Sequence, residues 1–176
     1  ASRGLGDVYK RQAYDLFANG DEVDVSLLLT GSASSTVQGY VGNIAITRKD
    51  CIAFVSPPKA SVVNNAGSEV DDITTWNTSL MGQLGSPSNY VVADSGWKYQ
   101  FDKYNNVYRY VPLNGDLAGL CVYTDTVRDP WFSPAGFNRG NLKNTVKLAW
   151  NPTKTDRDNL YACLLYTSDA ADDTPC

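Results

Sequence analysis

A serine and a carboxylate, each following an apolar run, are the residues of this chain best placed to do chemistry, and composition limits what that chemistry could be. None of the 176 residues is histidine, which excludes a Ser-His-Asp or Cys-His nucleophile and any histidine-ligated metal built from this chain alone. Thr30, Ser56 and Asp94 each close a predicted strand, and an open α/β sheet binds its ligands outside such ends. A Ser56–Asp94 pair there could be a remnant hydrolase site. A serine needs a base, however, and no lysine or carboxylate stands at a motif spacing to serve as one. Ordinary strand-end turn residues are the favoured reading. Asp71 and Asp72 fall in the first turn of a predicted helix, where carboxylates stabilise the dipole with no acid–base role.

Two further constellations could bind rather than catalyse. Trp97, Tyr99, Phe101, Tyr104, Tyr108 and Tyr110 could form a stacking platform for a carbohydrate or a base. One core face and one protein-facing side is favoured, because interfaces select aromatics together with arginine. The stretch from Pro130 to Gly140, with Trp131, Phe132, Phe137, Asn138 and Arg139, sets two prolines and two glycines on a turning path. A loop with that much apolar surface is packed under its own domain or docked on a neighbour. Asn77-Thr78-Ser79 fits a glycosylation sequon but falls mid-helix without secretory context, and is discounted.

Hydrophobic residues make up 43% and charged residues 19%, a globular composition. Fifteen basic against 19 acidic residues give a net charge of -4 and a pI near 4.7, so no electrostatic footprint for nucleic acid stands out. No apolar run approaches the roughly 20 residues of a membrane helix, and the N-terminus lacks a signal-peptide pattern. A soluble protein with no membrane insertion is expected.

Both ends read as translated sequencing adapter. Asp7-Val8-Tyr9-Lys10-Arg11-Gln12 can be written GAT GTG TAT AAG AGA CAG. The reverse complement, shifted by one base, encodes Cys-Leu-Leu-Tyr-Thr-Ser, the sequence of Cys163 to Ser168. This inverted pair matches the transposon end of tagmentation adapters, with flanking adapter bases accounting for Ser2 to Gly6 and Asp169 to Asp172. Residues 1–12 and 163–176 are therefore set apart as artefact. Without Arg3, Lys10, Arg11, Asp7, Asp169, Asp172 and Asp173, residues 13–162 keep 12 basic and 15 acidic side chains. The cysteines left, Cys51 and Cys121, have no metal or redox spacing and read as reduced core thiols. The Gly4-x-Gly6 pair falls in the artefact and is not a phosphate loop.

The elements that must position these residues follow from periodicity. Alternation over residues 23–30 predicts a strand, and helical spacing from a Ser34 or Ser35 cap through Val37, Val41, Ile44 and Ala45 predicts a helix ending near Lys49-Asp50. The unbroken run Cys51 to Val55 suits a strand buried on both faces. Ser68-x-x-Asp71 predicts a capped helix through Ile73, Trp76 or Asn77, Leu80 and Leu84 until Gly85-Ser86-Pro87, and Tyr90 to Ala93 a further strand. This alternation predicts an α/β fold with an open, mostly parallel, doubly wound sheet and crossover helices. Trp97 to Asp102 and Val107 to Val111 form an aromatic hairpin about Asn105-Asn106. A helix from Asn114-Gly115-Asp116 to Asp129-Pro130, a strand over Thr145 to Trp150, and a helix opened by Pro152 and a Thr155-x-x-Asp158 box complete the chain.

Four stretches together resemble the contractile tail sheath proteins of myoviruses. They are Asp50 to Pro57, Lys98 to Asn105, Tyr110 to Cys121, and Trp131 to Gly140 running into Thr155 to Tyr161. The resemblance covers residues 13–162 in family order. It implies that residues 13–129 are the later part of an α/β middle domain, subtilisin-like in fold, and residues 130–162 the start of an α+β C-terminal domain. It further implies a structural subunit rather than an enzyme, with no cofactor. Such a subunit forms hexameric rings stacked around the tail tube, and contraction drives the tube through the host envelope for genome ejection. The implied partners are further copies of itself, the tail tube protein, and the baseplate and tail terminator proteins; the implied location is the virion, after assembly in the host cytoplasm. On this reading Trp131, Phe132, Phe137, Asn138 and Arg139 are expected at subunit or domain contacts. A glycan- or receptor-binding module using the aromatic hairpin is the alternative, and it requires Trp97 and its neighbours to be coplanar and exposed.

Overall fold

Ile52–Val55 (β2) is the strand about which the chain is organised. The computed structural model describes residues 2–85, 89–129, 131–136 and 138–162, with only the backbone described for 2–5 and 162. β2 pairs in parallel with Leu27–Leu29 (β1) on one side and Val91–Ala93 (β3) on the other. Ala53, Phe54 and Val55 are all buried although their side chains alternate between faces, as a central strand covered on both sides requires.

The cover comes from helices formed for local reasons. Ser35–Arg48 (α2) begins at Ser34, whose extended backbone (φ -66°, ψ 157°) lets its Oγ accept from Val37 N. It ends at Lys49, which takes the left-handed conformation (φ 64°) with its N–H on Ala45 O. Glu69–Met81 (α4) lies against α2. Gly42 permits the close approach of α2 to β3 and to Leu84 after α4, since a Cβ would stand 2.5 Å from Leu84 Cδ2 and 3.1 Å from Val91 Cγ2. Ala53 joins a cluster with Leu28, Val37, Val41, Ile44 and Ala45, while Val55 joins Val62, Ile73, Trp76, Leu80, Trp97 and Leu160. On the opposite face Asn114–Val127 (α5) packs against β1 and β2.

The strand order β1-β2-β3 has no reversal. The doubly wound arrangement expected from sequence, with its topological switch point, is therefore not present among the described residues. The second face is reached instead through an antiparallel hairpin, Trp97–Asp102 (β4) and Val107–Pro112 (β5). Lys147–Leu148 (β6) adds to the other edge of β4, giving a second sheet of order β5-β4-β6. The hairpin turn is held by Asp102, which accepts from Tyr104 N, Asn105 N and Asn105 Nδ2 and pairs with Arg109 at 3.0 Å; Asn106 takes the positive φ that closes it.

Several boundaries differ from the sequence reading. The strand expected over 23–30 is shortened to β1 because its partner starts only at Ile52, whose N–H reaches Ser26 O; Val23 O is taken by the Arg48 guanidinium. The strand expected over 145–150 contracts to β6, bracketed by Val146 N on Tyr99 O and Ala149 N on Trp97 O. Ser68 makes no capping bond from its side chain. Instead Glu69 accepts from Gly67 N, and Asp72 accepts from Asn65 Nδ2. The last helix, Lys154–Ala162 (α6), is capped two residues earlier than expected, by Thr153 and Asp156: Thr153 N donates to Asp156 Oδ2 at 2.9 Å and Asp156 N to Thr153 Oγ1 at 3.3 Å. A single turn, Lys59–Val62 (α3), follows Pro57-Pro58 and has no counterpart in the sequence reading.

Ser2–Asp15 (α1) crosses the expected junction after residue 12 without a break and packs on α2. Leu160 of α6 is fully buried in the Val55 cluster, and Ala149 and Trp150 pack against it. No helix among the described residues is long and apolar enough to cross a membrane.

Candidate functional site

The parallel register brings Thr30, Ser56 and Asp94 to one end of the first sheet, as expected. Ser56 Oγ donates to Asp94 Oδ2 at 2.5 Å, and Ser56 Oγ accepts from Asn114 N at 3.1 Å. Asp94 Oδ1 accepts from Gly96 N, Asn114 Nδ2 donates to Gly31 O, and Thr30 Oγ1 donates to Phe54 O. Beneath them Gln38 donates through Nε2 to Ala33 O and Ser56 O, and its Oε1 accepts from Trp76 Nε1 at 2.9 Å. Ser56 is 1% exposed and Asp94 2% exposed. Burial pushes the Asp94 carboxyl up to about 7; the bonds from Ser56 and Gly96 act against it, and the Asp116 charge adds to it.

This geometry is a clasp. The Ser56 hydroxyl donates to Asp94 and accepts from Asn114 N, and both Ser56 and Asp94 are closed off from solvent. The strand ends serve to fasten three strands to the start of α5. Sequence reasoning missed Gln38 and Asn114 as members of the clasp; the available signal was a polar Gln38 between Val37 and Val41 in an otherwise apolar helix face.

The hairpin does not present a flat aromatic platform. Trp97 is 4% exposed, with Nε1 donating to Pro57 O at 2.8 Å, so the condition for the glycan-binding alternative fails at its first residue. Register places Trp97 with Pro112, Tyr99 with Tyr110 and Phe101 with Tyr108 on one face. Tyr99 and Tyr108 stack at 5.5 Å and 17°, whereas Tyr99–Tyr110 and Phe101–Tyr108 are tilted by 47° and 51°. On the other face Lys98 is buried, its Nζ 2.8 Å from Asp116 Oδ1 and 2.9 Å from Lys143 O.

Lys98 thereby ties the hairpin to α5 and to the segment carrying the expected contact residues. Trp131 is 79% exposed and Phe132 42%. Arg139 lies 5.6 Å from the Phe132 ring centroid, and its Nε donates to Ser133 O. Asn138 and Arg139 line a cleft of about 460 Å³ with Asp116, Leu120, Tyr123 and Lys143. Phe137, the remaining member of the set, lies outside the described residues. Val122, Tyr123 and Val127 of α5 add exposed apolar side chains leading into Trp131.

Cys51 and Cys121 are free thiols, both with pKa raised by burial; Cys163 and Cys176 lie outside the described residues. Among the described residues no group of three or more Cys, Asp or Glu side chains is arranged to hold a metal ion.

No protein-family model matches the chain. Curated relatives do. The tail sheath protein of Vibrio phage KVP40 is 41% identical over 164 residues, and that of Enterobacteria phage T4 is 41% identical over 162. The chain is a homologue of phage tail sheath proteins. The two matches take in 84% and 85% of this chain but 24% and 25% of the relatives, so the chain spans about a quarter of the length of the curated relatives it matches. The tail sheath protein of Salmonella phage ViI is 36% identical over 119 residues, 68% of this chain and 18% of that protein.

The strand-end serine is consumed in a structural clasp, and the distinctive surface is an exposed aromatic and basic one at the end of α5. The relatives are tail sheath proteins by name.

Proposed function

We propose that this chain is part of the structural subunit of a contractile phage tail sheath. Subunits of this kind polymerise in stacked hexameric rings around the tail tube and contract to drive the tube through the host envelope. The observation that carries the reading is 41% identity to two tail sheath proteins across 84% and 85% of the chain. The partners are further copies of the same subunit, the tail tube protein, and the baseplate and tail terminator proteins. The location is the virion tail, after assembly in the host cytoplasm.

Residues 13–129 form the later part of the middle domain on this reading, and residues 130–162 open the C-terminal domain. Trp131, Phe132, Phe137, Asn138 and Arg139 make subunit or domain contacts; the exposure of Trp131 and the Arg139–Phe132 stacking support this. Residues 1–12 and 163–176 are adapter-encoded. Residues 13–162 are 150 of the 176, about the share of the chain that the two longer matches cover. Amplification and resequencing across both junctions in the source DNA tests this directly: natural codons continuing the reading frame are expected, and the same end sequences recovered from unfragmented DNA would contradict it.

Immunogold labelling tests the function. An antibody raised against the chain is expected to decorate virion tails along their whole length between head and baseplate. Label confined to baseplates or fibres, or absent from virions, would overturn the sheath reading.

A further inference from the structure

Charge is unevenly distributed along the chain. Residues 13–26 hold Asp15, Asp21, Glu22 and Asp24 with no basic side chain, whereas residues 121–150 hold Arg128, Arg139, Lys143 and Lys147 against Asp125 and Asp129. Each stretch also carries an apolar residue pushed into solvent, Leu16 at 70% exposure and Trp131 at 79%. We propose that the acidic surface around Leu16 on one copy docks on the basic aromatic surface around Trp131 on the next copy, a head-to-tail contact. This rests on the sheath reading and names the faces through which subunits meet.

Both faces are preformed. Arg48 donates from Nη1 to Phe17 O and from Nη2 to Val23 O, pinning the two ends of the acidic turn. Asp21 and Glu22 are exposed and form no ion pair with the described residues. On the other face Arg139 stacks on Phe132, and Lys143 lies 5.4 Å from the Tyr123 ring centroid. Arg128, Arg139 and Lys143 likewise have no carboxylate partner among the described residues. A stretch with an exposed apolar residue and a net negative charge is matched by one with an exposed apolar residue and a net positive charge, the kind of complementarity that steers and orients association. Because the two faces differ, the contact is heterologous and propagates into open helical or ring assemblies rather than closing as a two-fold dimer.

Sedimentation velocity on the whole chain, with a charge-swapped pair of variants, tests the contact. One variant carries Asp21→Lys and Glu22→Lys, the other Arg128→Glu and Lys143→Glu. All four positions are exposed, and unchanged melting temperatures verify that both variants fold. The wild type is expected to associate about tenfold more weakly in ~500 mM salt than in ~50 mM. Each variant alone is expected to be monomeric, and an equimolar mixture to associate at least roughly tenfold more tightly than either alone. Wild-type association indifferent to salt, with no gain on mixing, overturns this contact while leaving the sheath reading standing. A wild type that stays monomeric also overturns it, since this chain holds both faces; the sheath reading is then decided separately, by tube formation from the full-length reading frame.

Discussion

Ser56 Oγ sits 2.5 Å from Asp94 Oδ2, joining the ends of β2 and β3 in a site from which solvent is excluded. The relationship is structural: the hydroxyl also receives Asn114 N, so the start of α5 is clasped to the parallel sheet.

The clasp makes stability depend on pH. Burial raises the Asp94 carboxyl from 3.8 to about 7, so the folded state holds its proton more tightly than the unfolded chain does. Its contribution is fully present below about pH 4 and is lost as pH rises toward 7, amounting to a few kcal/mol at roughly 1.4 kcal/mol per pKa unit. Asp94→Asn keeps an acceptor for Gly96 N and carries no charge, with its Nδ2 donating to Ser56 Oγ so that this bond is reversed rather than lost. Urea unfolding between pH 5 and 8 should show a falling wild-type stability and a flat profile for the variant; parallel profiles would contradict the assignment.

Gln38 is the second test of the clasp. Gln38→Leu fills similar volume but strands Trp76 Nε1 and Ser56 O in the core. A loss of about 2–4 kcal/mol is expected by denaturant titration, at the unsatisfied-donor cost of roughly 1–3 kcal/mol per group. Adding Trp76→Phe, which removes the orphaned donor, should cost less than the sum of the single changes; strict additivity would show that the bond carries no weight.

Lys98 and Asp116 are expected to behave as a buried pair. Asp116→Leu leaves a buried ammonium with only Lys143 O to accept from it and should cost about 3 kcal/mol, whereas Lys98→Met combined with Asp116→Leu should recover most of that. Thermal melts of the wild type, the two single variants Lys98→Met and Asp116→Leu, and the double variant give the coupling, and a double variant no better than Asp116→Leu alone would argue against it.

Trp131 should matter to assembly and not to folding. Its side chain is 79% exposed, so Trp131→Ala is expected to change stability by less than about 0.5 kcal/mol. In the full-length protein the same change should lower the yield of assembled rings or tubes. A large loss of melting temperature would place Trp131 in the core and remove it from the contact set.

Much of this fold was legible in the residue pattern, and the failures have physical causes. The Cys51–Val55 run, the helix begun at Ser34 and the aromatic hairpin are elements in which local periodicity and tertiary burial agree. The strands around Val23 and Thr145 were overextended because alternation cannot show where a partner strand begins or ends. Ser68 makes no capping bond, the carboxylates of Glu69 and Asp72 instead bonding back to Gly67 and Asn65 in the preceding loop, and the last helix starts on the Thr153/Asp156 box rather than the Thr155/Asp158 one. At the site, the sequence placed Ser56 and Asp94 at one sheet edge. It could not show that Gln38 and Asn114, distant in the chain, would use up their bonding and turn an apparent chemical pair into a fastener.

The most direct test of the account is negative-stain electron microscopy of the full-length reading frame recovered from the source DNA, expressed without the two end sequences. Striated tubes or stacked rings of regular diameter are predicted. Particles that remain monomeric at high concentration, and do not assemble when tail tube and baseplate are supplied, would contradict it.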